Sequence, residues 1–117
     1  MITITFFAKE IEQDVKVNLE SVTGFCSEGH AGYAKHGEDI VCAAVSALVM
    51  NTMNSIHSFT SDVFDYKEVQ KKGMVDFRII SEPSPETKLL FKSLILGLQN
   101  IQEEYGEKYL RIDFQNS

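Results

Sequence analysis

Apolar and polar residues alternate from the start of the chain. Positions 2 to 8 read Ile-Thr-Ile-Thr-Phe-Phe-Ala. A period of two among β-branched and aromatic side chains predicts a strand whose inward face is Ile2, Ile4 and Phe6. Lys9 to Lys16 is charged and predicts a solvated turn, after which Val17 to Ser27, with Val22, Phe25 and Cys26, predicts a second strand antiparallel to the first. The period then lengthens. From Ile40 to His57 the residues Val41, Ala44, Val45, Leu48, Val49, Thr52 and Ile56 recur at three-to-four spacing, which predicts a largely buried helix with Asp39 as its N-cap.

Beyond that helix the period of two returns. Val63 to Gln70 and Gly73 to Ser81 predict a hairpin turning around Lys71, Lys72 and Gly73, with Val75, Phe77 and Ile79 on one side. Ser84, Pro85 and Glu86 then supply a cap, a first-turn proline and an early acid. They predict a helix ending near Gly106, with Leu89, Leu90, Leu94, Leu98 and Ile101 on one face. Tyr109 to Phe114 alternates once more and predicts a closing strand. The order is β-β-α-β-β-α-β, which predicts an α+β fold of two layers: a mostly antiparallel sheet packed against two long helices.

A length of 117 residues suits a single domain over 1–117 with a core of its own. Seventeen acidic against eleven basic residues leave a net charge of -6. That balance argues against direct nucleic-acid binding, which is driven by Lys and Arg, and favours a basic partner. The longest near-apolar run, Ile40 to Met53, falls short of the ~20 residues that span a bilayer, so no membrane partner is expected. The first residues have neither the basic head nor the apolar run of a signal peptide. Two cysteines, Cys26 and Cys42, are too few for a disulfide framework and fit reduced thiols in a cytoplasm.

Between the second strand and the first helix lies the segment with chemistry in it. Gly29, Gly32 and Gly37 fall within nine residues, Gly-His-Ala-Gly-Tyr-Ala-Lys-His-Gly, and make this the segment expected to move most. With Asp39 as cap, Cys42 becomes the third helical residue, beside amide groups that lack intrahelical partners. Such a position lowers a thiol pKa and could hold an oxyanion. His30, at the end of the preceding strand, could serve as its general base across the glycine loop. Ser46, one turn after Cys42 on the same helical face, could contact substrate or simply bond the carbonyl of the preceding turn.

Two other readings of these residues stay open. Cysteine is often a small core hydrophobe. Cys26, His30, His36 and Cys42 are also ligand types that zinc accepts, although they lack the close Cys-x-x-Cys spacing of most zinc sites. His36 reads as an exposed loop residue and His57 as a helix-terminal one suited to the negative end of the helix dipole.

The stretch Gly29-His30-Ala31-Gly32-Tyr33, followed by Gly37-Glu38-Asp39-Ile40-Val41-Cys42-Ala43-Ala44-Val45-Ser46-Ala47-Leu48, resembles the signature of the ribosomal-processing cysteine proteases of the Prp (YsxB-like) family. The length and the order of elements resemble that family over the whole chain. The resemblance implies an intracellular bacterial endopeptidase that removes a short N-terminal extension from a large-subunit ribosomal protein precursor before ribosome assembly. It implies His30 and Cys42 as the catalytic dyad, a loop over Ala31 to Asp39 that moves on substrate binding, a homodimer, and neither metal nor organic cofactor. In such an enzyme Gly32 and Gly37 would act as hinges and Tyr33 as a wall of the substrate site. Asp39 would remain a helix cap rather than a third catalytic member. The competing class is a non-catalytic ribosome-assembly binding factor or chaperone that holds the extension without cutting it.

Overall fold

The computed structural model describes residues 1–11, 17–29 and 36–117, without the side chains of residues 36–39. Its elements are β1 (Ile2–Ala8), β2 (Val22–Glu28), α1 (His36–Phe59), β3 (Phe64–Val69), β4 (Met74–Ile79), α2 (Pro85–Tyr105) and β5 (Leu110–Asn116). The five strands form one sheet in the order β3-β4-β2-β1-β5. Three neighbouring pairs are antiparallel, and only β1 and β5 are parallel. The expected α+β class and element order are those observed.

The pairings fix where the helices lie. Because β2 and β3 are both antiparallel to β4, they run the same way, and α1 is the crossover that joins them past β4. By the same reasoning β4 and β5 are parallel, and α2 carries the chain past β2 and β1. Parallel strands need such crossovers, since a tight turn can only reverse the chain. Both helices cover one face of the sheet, where Ile2, Ile4, Phe6, Phe25, Phe77 and Ile79 meet Val41, Val45, Val49, Ile56, Phe91, Leu94, Ile95 and Leu98. Four rings interlock there: Phe25 lies 5.9 Å from Phe6, 5.6 Å from Phe77 and 6.2 Å from Phe91. Tilted and edge-on pairs at these spacings add to the burial that holds strands and helix together.

Among the described residues, the opposite face of the sheet carries no helix. Arg78 lies with its guanidinium 3.6 Å from the centre of the Phe7 ring and makes a two-point contact with Asp76 at 3.0 and 3.2 Å. A planar cation of this kind shields an aromatic that would otherwise face water.

The boundaries differ from expectation where local signals compete. β2 begins at Val22, not Val17, because Leu19–Ser21 forms a 3-10 turn capped by the Asn18 side chain on the Glu20 amide. α1 begins at His36, not Ile40. Asp39 therefore sits within the first turn rather than at the cap, and His36 is helical rather than a loop residue. Acidic residues in a first turn favour the positive end of the helix dipole, so Glu38 and Asp39 suit the longer helix. At its other end α1 continues past Met53, so that Ile40–Phe59 is long and apolar enough to cross a membrane by length and composition, contrary to the shorter run read from the sequence. Val41, Val45, Val49, Thr52 and Ile56 nevertheless form a buried row against the domain interior. In α2 the buried face is Thr87, Phe91, Leu94, Ile95 and Leu98, and Leu89, expected inside, is exposed. Gly97 of α2 lies so close to α1 that an added Cβ would stand 2.8 Å from Leu48 Cδ1.

Gly29 ends β2 with φ 113°, and a Cβ there would fall 2.4 Å from the Met1 carbonyl oxygen. Its amide donates to the Lys72 carbonyl at 3.3 Å, tying the β3-β4 turn to the end of β2. Gly29→Ala should destabilise the fold by about 1–3 kcal/mol through backbone strain, before any cost of the clash, as a lower midpoint in urea denaturation.

Asp62 fastens the start of α2. Its Oδ2 accepts from the Ser84 amide and the Ser84 hydroxyl, both at 2.9 Å, while Ser84 caps the helix on the Thr87 amide. Burial pushes the Asp62 carboxyl up, but hydrogen bonds from Thr87 and Ser84 outweigh it and hold the group below its ordinary value. A carboxylate with a depressed folded pKa stabilises above the unfolded pKa, and the contribution fades as pH falls through the folded one. Asp62→Ala should therefore lower the melting temperature at pH 7. The gap to the wild type should narrow below about pH 4, as thermal scans across that range would read.

Candidate active site

One stripe of α1 lines the floor of a cleft of about 620 Å³. Cys42, Ser46, Val49, Met50, Met53 and His57 recur along it at helical spacing. Facing them are Phe64, Tyr66 and Glu68 of β3, Val75 and Phe77 of β4, and Ser27 and Gly29 at the end of β2. Alternation along β3 accounts for that set, since residues two apart share a face of the sheet. The volume and the apolar floor with scattered polar groups suit an extended peptide.

Cys42 is half-buried, packed against the core and open to this cleft. Counted from His36 it is the seventh helical residue rather than the third. Its amide is then an intrahelical donor, and the amides without such partners lie a turn earlier. The expectation that the Cys42 amide holds an oxyanion is corrected accordingly. The helix dipole also weakens beyond the first turn, so the helix start no longer singles out Cys42.

His30, Gly32 and Tyr33 lie outside the described residues, and so does the side chain of Asp39. Gly29, to which His30 is joined, lines the cleft together with Cys42. Ser46 is exposed and lines the cleft, one turn from Cys42. His57, read from the sequence only as a helix terminus, lines the far end and meets the Phe64 ring edge-on at 5.7 Å. Met50, Met53, Tyr66 and Glu68 were not singled out from the sequence. The two methionines could have been, because they continue the stripe of Cys42 and Ser46 at helical spacing.

Cys26 is placed differently. The register sets it opposite Thr5 and Asp76, one residue out of phase with the inward-facing Phe25. It therefore lies on the face away from α1 and α2, with the sheet between it and Cys42. The two thiols cannot ligate one ion, which removes the four-ligand zinc reading. Burial pushes the Cys26 thiol up, and the carboxylates of Asp76 and Glu28 push it further against a smaller opposing effect of Arg78.

Residues 1–110 match the model of a protein family described as cysteine protease Prp. The ribosomal processing cysteine protease Prp of Staphylococcus aureus is 33% identical over 106 residues, covering 90% of this chain and 99% of that protein. The Bacillus subtilis protein of the same name is 29% identical over 92 residues, 75% of this chain and 82% of its own length. Among solved structures, the S. aureus protease with a covalently linked product peptide superposes with a TM-score of 0.80 at 28% identity, covering 98% of this chain and all of that one. The same enzyme with a substrate peptide gives 0.79 over the same share of each chain. With the fold and the sequence match in agreement over nearly the whole length, this chain belongs to the cysteine protease Prp family.

Proposed function

We propose that this protein, acting as one protease domain over residues 1–117, is a cysteine endopeptidase that removes the N-terminal extension of a large-subunit ribosomal protein precursor. Cys42 is its nucleophile and His30 its general base. The observation that carries the reading is that Cys42 and Gly29, the residue preceding His30, line one peptide-sized cleft.

The chemistry follows from those two groups. His30 takes the Cys42 proton, and the thiolate attacks the scissile carbonyl to form a tetrahedral intermediate. Collapse of that intermediate breaks the C–N bond as His30 returns the proton to the leaving amine. Water deprotonated by His30 then hydrolyses the thioester and restores the thiol. Ser46, one helical turn from Cys42 on the cleft floor, contacts the bound peptide, as do Gly32 and Tyr33 from the segment before α1. No metal or organic cofactor takes part. The homodimeric state and cytoplasmic location implied by the sequence resemblance belong to this reading, and two unpaired cysteines suit a reducing compartment. Direct contact with nucleic acid is not part of it, given the net charge of -6.

Incubation with the precursor ribosomal protein, read by intact mass, should give one cut. A factor that merely holds the extension would leave the mass unchanged.

Cys42→Ala should lower cleavage by about three orders of magnitude or more while still binding the extension. Cys26→Ala should cut normally. Iodoacetamide at pH 7 should alkylate Cys42 faster than Cys26, whose thiol is pushed up by burial and nearby carboxylates. His30→Ala should abolish cleavage with an unchanged circular dichroism spectrum; lost ellipticity would instead mark a structural histidine.

A further inference from the structure

Among the described residues that line the cleft, Glu68 is the only Asp or Glu, and none is Lys or Arg. The Tyr66 hydroxyl donates to Glu68 Oε2 at 2.8 Å, which orients the carboxylate. That hydrogen bond, followed by burial and the carboxylate charge, raises the Tyr66 pKa, so the phenol stays a donor at neutral pH. An oriented, exposed carboxylate, with no other Asp, Glu, Lys or Arg beside it among the described residues of the cleft, is placed to read a cationic side chain.

Its offset from Cys42 along the cleft follows from the topology. Residues 60–63 turn the chain back, so β3 runs opposite to α1, and the contact of His57 with Phe64 marks their shared end. From that end Glu68 lies four residues along β3, about 13 Å at strand rise. Cys42 lies fifteen residues back along α1, about 22 Å at helical rise. The difference of about 9 Å corresponds to about three residues of extended peptide.

We propose that Glu68 is a specificity-determining residue that selects a Lys or Arg two to four residues from the scissile bond, held against Tyr66. This rests on the protease reading of the Cys42 cleft. It gives the basic character of a ribosomal protein a specific place of recognition, where the net charge of -6 gives only a general attraction.

The test uses the full chain and peptides spanning the cleavage junction, with Lys, Gln or Glu placed in turn at each of the four positions on either side of the bond. Wild-type protein should favour Lys over Gln at one position two to four residues from the bond by about fivefold in kcat/KM, less at high salt. Glu68→Gln should abolish that preference, and Glu68→Lys should invert it toward Glu. Tyr66→Phe should weaken the preference without inverting it. A preference unchanged in both Glu68 variants, or an equal loss on every peptide, overturns the assignment and leaves the protease reading intact. Wild-type protein that cut none of the peptides would overturn both.

Discussion

Phe25 is the residue through which the two layers are joined. Its ring meets Phe6 of β1, Phe77 of β4 and Phe91 of α2. Three adjacent strands are thereby locked in register to one another and to the helix above them. A slip of one residue in β2 would turn this ring outward and bring Cys26 in, so the aromatic contacts oppose any alternative pairing. The register then fixes everything downstream: Gly29 reaches the Met1 carbonyl, the β3-β4 turn is bonded to its amide, and the chain leaves the sheet where Cys42 comes to face the cleft.

The cleft exists because the two helices do not cover the sheet equally. α2 lies over the centre with Phe91, Leu94, Ile95 and Leu98 sunk into the core. α1 buries a narrower row and presents Ser46 and Met50 beside it, opposite strands whose facing residues include the exposed Tyr66 and Glu68. Apolar surface left open in this way between otherwise well-packed elements suits a ligand with apolar side chains of its own.

Much of this was legible from the chain itself. The strand at Ile2–Ala8 and the capped helix from Pro85 came within a residue or so of their observed limits, because strict alternation and a Ser-Pro-Glu start are local signals. The start of α1 was not. Asp39 looks like a cap, and the glycines before it look like loop, yet the backbone is already helical at His36. The strand order was also beyond reach, since the pairing of β1 with β5 joins residues more than a hundred positions apart and leaves no local trace. For the same reason Cys42 was visible within its motif, whereas Tyr66 and Glu68 became site residues only when the fold carried β3 opposite α1.

The close approach of Gly97 to Leu48 makes α1 something like a cantilever. One flank of the helix is clamped to α2, while the flank carrying Cys42, Ser46 and Met53 overhangs the cleft. The gap between α1 and β3 is then governed as much by a joint behind the helix as by the residues that line it. Bulk added at Gly97 would tilt the overhanging edge and change the fit of a peptide without touching any group that binds one. Drift at such a joint is one way for related sequences to acquire cleavage preferences that their cleft residues alone would not explain.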